Sequence, residues 1–402
     1  MARERIRVLL LDGDSRQALP VSKALRQAGH YVTVLCDSRV SYGSWSRYPH
    51  HREFGPSCIH EPEAYLGFLL RLLRRHSYDV TIPLFDHTAT LASRHKPELS
   101  RYTHVPIPDY DIFMLARDKS KTMQICKKIG VPHPATYDPR QDPLEHIAAQ
   151  VNFPCLVKPN IGHGAIGLRR VETPEALPQI YHETSREYGP CMIQEFIPQT
   201  GMQYKTQIFR GREGQIHAAV VFNKMRYFPV TGGTSSLNAT VDRPDIVADC
   251  RRLLDTMNWE SHADVDLIED PRDGRVKVME INPRITGSIK IAFEAGVDFA
   301  DLLVRHALGR ELPTFDHYRV GIYLRYMPLD ILWFLHSPDR WRARPSWFRF
   351  LGPDLCYQEG SWEDPMPAVA GFLSGLAKYL NPKFREGKLG KKKRAPQESH
   401  GL

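Results

Sequence analysis

The 402-residue chain has no CxxC pair; its seven cysteines, Cys36, Cys58, Cys126, Cys155, Cys191, Cys250 and Cys356, are scattered and odd in number. This excludes a zinc site of the usual spacing and argues against a disulfide framework, as in a reducing compartment. No stretch approaches the ~20 apolar residues of a spanning helix. The short run Val8 to Leu11, behind basic residues, is stopped by Asp12 too early for a signal peptide. A cytoplasmic protein is the expectation. There is no GxGxxG after the first apolar run, which argues against a dinucleotide site, and no internal repeat. An excess of one charge sign is also missing outside the end. Of the net +8, the stretch Lys383 to Arg394, with seven Lys or Arg against one Glu, carries +6 and leaves +2 for the rest. The high pI therefore describes a basic tail, read as disordered, and no nucleic-acid partner is expected. At 42% hydrophobic and 25% charged the chain is ordinary globular protein, long enough for two or three units.

What is present centres on Asp264 to Ser288. Asp266 sits in the apolar run Val265 to Ile268, a turn with Pro271, Asp273 and Gly274 follows, and Val276 to Ile281 carries Glu280 near its end. The pattern predicts a β-hairpin. Asp266, Glu280 and Asn282 then fall side by side, because residues two apart on a strand share a face. Three oxygen donors with little soft ligand nearby suit a hard cation such as Mg²⁺. Arg284, two residues on, suits a phosphate or a carboxylate. A solvated hairpin with ordinary surface acids is the plainer alternative.

In chain order, Arg7 to Leu11 and Tyr31 to Cys36 read as strands around a helix from Ala18 to Ala28, and a helix from Glu63 to Arg75 and a strand from Asp79 to Leu84 continue the alternation. This predicts a doubly wound α/β domain. The turn Asp12 to Ser15, and Asp86 with His87, stand where open α/β sheets place ligands, or serve simply as connections. A helix from Asp118 to Ile129, capped by Asp118 and closed at Gly130, carries Lys119 in its first turn, a place that disfavours a cation unless it serves an anion. The strand Phe153 to Pro159 brings Lys158 to Gly162, His163, Gly164 and Gly167, whose backbone N–H groups can close over phosphates. Lys224 and Arg226 alternate along a strand before the turn Thr231 to Ser236, suited to an anion or simply exposed. Ser288 to Leu308 reads as one amphipathic helix.

Taken together, Lys119 in its D-K-x-x helix, the Lys158 strand with its glycine turn, and the EINPR string resemble the ATP-grasp superfamily, in particular carboxylate-amine ligase-like members with a carbamoyl-phosphate synthase large-subunit-like ATP-binding unit. The resemblance covers roughly residues 5 to 310. It implies an α/β and α+β protein: an N-terminal doubly wound pre-ATP-grasp domain (1–115), a small lobe with a Gly-rich lid (116–190), a large lobe with the metal site (191–310), a C-terminal Trp- and Arg-rich extension (311–380) and the basic tail (381–402). It also implies ATP and one or two Mg²⁺ ions, with Mn²⁺ as a substitute. Lys119 and Lys158 would meet phosphate, Glu195, Phe196 and Ile197 would form the hinge at the adenine, and Gln203 stands where an acidic residue usually meets the ribose. Asp266, Glu280 and Asn282 would hold metal, while Arg284, Lys224 and Arg226 would stabilise charge as a substrate carboxylate becomes an acyl phosphate and is attacked by an amine. Amino acids, peptides or uronic acids are the substrate classes this implies.

Other readings stay open: a nucleotide-binding regulator, a carboxylase using bicarbonate (with no biotin-carrier segment in the sequence), or a polysaccharide- or membrane-associated binding protein. The last rests on the C-terminal segment, where four of the six Trp fall between Trp333 and Trp362 beside Arg340, Arg342, Arg344 and Arg349. Peripheral membrane contact and packing back onto the core are both readings of it.

Overall fold

The computed structural model describes residues 5–380 except 163, 165 and 231, with side chains through residue 375. His163, Thr231 and the basic tail lie outside the described residues.

The first layer is a four-stranded parallel sheet of β1 (Arg7–Leu10), β2 (Tyr31–Cys36), β3 (His51–Phe54) and β4 (Val80–Ile82), in the order β3-β2-β1-β4. The run Val8 to Leu11 is apolar without alternation because the sheet is covered on both faces. Leu9 and Leu11 pack with Tyr65 and Leu69 of the helix Pro62–Arg75. Val8 and Leu10 pack with Val21 and Leu25 of the helix Ala18–Gln27, and in the same core with Phe299 and Leu303. The N-terminal domain thus shares its core with a helix almost three hundred residues later in the chain, which holds it against the rest of the molecule.

A small antiparallel sheet follows: β5 (Thr136–Tyr137), β6 (Cys155–Pro159), β7 (Arg169–Val171) and β8 (Cys191–Glu195), ordered β5-β8-β6-β7. The large sheet comprises β9 (Gln203–Arg210), β10 (Ile216–Phe228), β11 (Thr234–Thr240), β12 (Ser261–Glu269), β13 (Val276–Asn282), β14 (Tyr323–Arg325) and β15 (Leu355–Tyr357), ordered β13-β12-β9-β10-β11-β14-β15. Its central strands cover the helix Pro244–Thr256 through Ile208, Val221, Leu253 and Trp259, all with 0% exposure.

One expectation changes. The single helix expected from Ser288 to Leu308 is broken into Lys290–Ala295 and Phe299–Ala307, behind a short 3₁₀ turn at Gly287–Ile289. Gly296 takes a left-handed φ of 101°, and the Asp298 carboxylate caps the second helix by accepting from the Ala300 and Asp301 N–H groups at 3.0 Å each. A glycine stop followed by an aspartate cap outweighs a continuous apolar stripe. The C-terminal extension joins the large sheet. β14 pairs antiparallel with β11, and β15 runs parallel to β14. Trp333 is buried while Trp341 and Trp362 are 70% and 96% exposed, so the segment both packs back and presents aromatic surface.

Candidate active site

The hairpin forms as expected. β12 and β13 pair antiparallel with Asp266 opposite Glu280 and Asp264 opposite Asn282, and a register shift follows Asp266. Asn282 Nδ2 donates to Asp266 Oδ2 at 2.8 Å. On the next two strands of the sheet, Lys205 on β9 and Lys224 on β10 reach the same carboxylate, at 3.0 Å and 2.6 Å. Burial alone would raise the Asp266 pKa; the two ammonium groups outweigh it and hold the carboxyl well below its usual range. Glu280 is the open member, its side chain one-third exposed, with Lys119 Nζ at 3.3 Å. Lys158 on β6 is buried beside them, and burial draws its pKa down to about 8, with Glu280 opposing and Lys119 adding to the shift.

Lys119, Lys158, Lys205 and Lys224 therefore meet Asp266 and Glu280, and even with the buried Asp264 two residues back on the strand the cations remain in excess. A partly desolvated surplus of positive charge is complementary to a polyanion.

The glycine turn closes onto this cluster. Asp118 caps the helix Lys119–Ile129 by accepting from the Ser120 and Lys121 N–H groups, at 2.9 and 3.3 Å. That places Lys119 so that its backbone N–H donates to Asn160 O at 2.9 Å, while its Nζ and Arg117 Nη1 both donate to Gly162 O, at 3.1 and 2.9 Å. Gly164 and Gly167 take left-handed φ values of 61° and 75°. A Cβ on Gly167 would come within 2.7 Å of the Pro159 ring, so the turn can follow the Lys158 strand this closely only with glycine there.

At the end of β8, the Glu195 carboxylate meets Arg272 and Lys277 at 3.2 and 3.3 Å, tying the expected hinge to the turn of the hairpin. Arg170 lies over the Phe196 ring at 4.5 Å, and Ile197 is buried with its carbonyl accepting from Gln199 Nε2 at 3.0 Å. Gln203 donates to Gln199 Oε1 at 3.0 Å, which joins it to the same corner.

A model of the family described as carbamoyl-phosphate synthase L chain, ATP binding domain, matches residues 118–315, the stretch that carries every group named so far in this site except Arg117. The chain carries an ATP-grasp ATP-binding domain. Its N-terminal parallel sheet and the antiparallel sheets after it match solved ATP-grasp structures. One is biotin carboxylase from Campylobacter jejuni in complex with β-γ-ATP, with a TM-score of 0.68 at 14% identity, covering 79% of this chain and 74% of that one. Another is L-amino acid ligase from Bacillus licheniformis, with a TM-score of 0.58 at 18% identity, covering 76% and 75%. At these identities the likeness is one of fold. By sequence, D-aspartate ligase of Enterococcus faecium is 24% identical over 246 residues, 55% of this chain and 58% of that protein. D-alanine--D-alanine ligase of Ectopseudomonas mendocina is 26% identical over 209 residues, 47% and 64%. The chain spans less than two thirds of the length of these relatives.

Within the ATP-grasp unit the expected charge-stabilising residues part company. Lys224 faces Asp266, but register shifts on both sides of Arg226 end the alternation on β10. A β-bulge re-aims the side chain after it, so Arg226 does not share the face of Lys224. It is buried in an ion pair with Asp330 at 3.2 Å, lies over the Trp333 ring at 4.7 Å and donates to the Pro345 carbonyl. Arg284 reaches the N-terminal domain, with Nη2 at 2.5 Å from Asp86 Oδ2 and its guanidinium over the Phe85 ring at 5.4 Å. Asp86, one of the two loop residues singled out after β4, opens the helix Asp86–Arg94 and also has Arg117 at 3.9 Å.

Lys205, Arg117 and Lys277 were not anticipated. Gln203, Lys205 and Gln207 alternate along β9, all buried, and that polar stripe on a central strand was the available signal for Lys205. The oxygen donors of Asp266, Glu280 and Asn282 fit a hard cation that completes its shell with phosphate and water. Among the described residues no three carboxylate, imidazole or thiol groups gather into a metal-binding cluster.

Proposed function

We propose that the chain is an ATP-dependent carboxylate-amine ligase. It would activate a substrate carboxylate as an acyl phosphate and join it to an amine, releasing ADP and phosphate. The observation that carries this reading is the surplus of lysine around Asp266 and Glu280, directly under the Gly162 turn. Lys119, Lys158 and the turn would hold the phosphates of ATP, and Glu195 to Ile197 with Gln203 would line the nucleoside end. Glu280, Asn282 and Asp266 would hold Mg²⁺, which neutralises phosphate charge when bound. Lys224 and Arg284 lie on the hairpin side of the cluster, where an acceptor carboxylate would enter, and would offset its charge as the phosphoryl group arrives. Asp86 holds Arg284 in place for this. There is no serine or cysteine nucleophile in the scheme; position and charge supply the catalysis.

The two ligases among the sequence relatives support the amide-forming reading, with amino acids as the small-molecule substrates they are named for. The test is Mg²⁺-dependent ADP release from pooled carboxylates crossed with pooled amines, with ATP binding followed in the same samples and Glu280→Ala as control. Release that requires both an acid and an amine is expected. Release with bicarbonate and no amine would replace the ligase with a carboxylase, and tight ATP binding without release in any pool would leave a nucleotide-binding regulator.

A further inference from the structure

Arg16 follows the Asp12 to Ser15 turn at the carboxyl end of β1 and just precedes the helix Ala18–Gln27. Its guanidinium lies over the ring of Tyr326, 4.2 Å from the centroid, and two of its nitrogens come within 3.8 Å of the place a Cβ on Gly287 would occupy. Its Nη1 is buried without a hydrogen-bond partner. Among the described residues no carboxylate stands within ion-pair distance of it. Gly287 is three residues from Arg284, so the backbones of these two residues are at most about 11 Å apart.

The acid that feels the charge of Arg16 is Glu359, in the C-terminal extension. Tyr42 of the N-terminal domain donates its hydroxyl to Glu359 Oε1 at 3.2 Å. No cation pairs with this carboxylate among the described residues. Burial pushes it up to about 7, against the opposing pull of Arg16 and the Tyr42 hydroxyl. Its position is fixed by the loop on either side. Gln358 Nε2 donates to Gly287 O at 2.7 Å, and Lys290 Nζ donates to the carbonyls of Tyr357 and Gly360 at 2.6 and 3.0 Å. The extension is thereby clasped to the turn that follows the hairpin. A cation and an anion, each half-buried and unpaired, feel one another across a gap too wide for a direct bond. That arrangement is costly when empty and complementary to a molecule carrying both charges.

We propose that Arg16 and Glu359 form a binding subsite for the zwitterionic end of an amino-acid substrate, Arg16 taking its carboxylate and Glu359 its ammonium, with Tyr326 and the Gly287 turn as walls. The subsite rests on the ligase reading for its purpose and adds the residues that would recognise the amino acid. Three parts of the chain build it: the N-terminal domain, the turn after Arg284, and the extension that lies beyond the family match. The extension therefore contributes to recognition as well as to the sheet.

The test is calorimetric binding of pooled L- and D-amino acids to the full chain with Mg²⁺ and a non-hydrolysable ATP analogue, in wild type, Arg16→Gln and Glu359→Gln. Each amino acid that binds is compared with its decarboxylated amine and its deaminated acid. Loss of one charged hydrogen-bonding group should weaken amino-acid binding by about tenfold or more, with nucleotide affinity and melting temperature unchanged. Arg16→Gln should leave the decarboxylated amine unaffected, and Glu359→Gln the deaminated acid; a merely structural role would shift both ligands alike. Arg16→Lys should recover part of the loss. If amino acids bind equally well to all three proteins, or none binds while other acid and amine pairs still drive ADP release, the subsite is refuted and the ligase stands. If amino acids bind as predicted and no pair drives release, the ligase fails and the subsite stands.

Discussion

The lysine cluster at the hairpin and the arginine cluster at the extension use the same ingredients to opposite ends. At the hairpin, four lysines share Asp266 and Glu280, and Glu280 remains one-third exposed. At the extension, Asp330 with 0% exposure accepts from Arg226, Arg325 and the Ser236 hydroxyl, and the remaining donors of Arg325 end on the carbonyls of Trp347 and Arg349. One cluster has charge left over and a way out to solvent; the other has its donors satisfied inside. A buried cation beside an acid is thus a ligand site or a structural joint depending on where its other donors go, and the latter cannot be judged from residue types alone.

The comparison can be broken most forcefully at the joint. Asp330→Ala would leave two buried guanidinium groups unpaired and should cost about 3–5 kcal/mol, read as a lower denaturant midpoint or loss of soluble protein. A small change would mean that the joint is replaceable. At the hairpin the contrast should reverse. Glu280→Ala should reduce ADP release by about a hundredfold or more with the melting temperature held, and unchanged release would remove Glu280 from the metal shell.

Lys158 separates the two kinds of cluster by pH. Its pKa of about 8 in the fold lies below its ordinary 10.5, mainly through burial. The unfolded chain therefore binds more protons between these values, and stability without nucleotide should rise with pH across that window. Phosphate binding needs the ammonium form, so ATP affinity should fall as pH passes about 8. Titrating both by thermal melts and calorimetry should show opposite slopes, and Lys158→Met should flatten both and weaken ATP binding by about tenfold. Parallel slopes would take Lys158 out of the phosphate site.

The smallest effect is expected at the exposed end of the extension. Trp341 is 70% exposed, and Trp341→Ala should change stability by less than about 1 kcal/mol. Trp333→Ala, which removes a buried ring under Arg226, should cost about 3–5 kcal/mol. Equal losses at the two positions would show that the exposed rings carry packing after all.

Much of the local structure around Lys119, Lys158 and the hairpin was legible because its signals are local. The Asp118 cap, the Gly130 stop, the glycine turn behind Lys158 and the hairpin around Pro271 to Gly274 each concern residues a few positions apart. The helix expected from Ser288 to Leu308 failed on an equally local signal, Gly296 with Asp298, passed over in favour of the apolar period. Arg226 failed for another reason. Its spacing from Lys224 implied a shared face, and the register shifts that separate the two arise in the pairing of β10 with β11.

By itself, then, the order of residues determined the first βαβ unit, the helix capped by Asp118, the hairpin that aligns Asp266 with Glu280, and the resemblance to the ATP-grasp superfamily, because these depend on short-range periodicity and turn chemistry. Only the tertiary structure decided which cation meets which acid. Lys205 and Lys224 reach Asp266 through strand register, Arg284 reaches Asp86 across 198 positions, and Arg16 faces Glu359 because the extension folds back into the sheet. Long side chains on distant segments are paired by the packing of the backbones that carry them, and no local pattern in the chain records that packing.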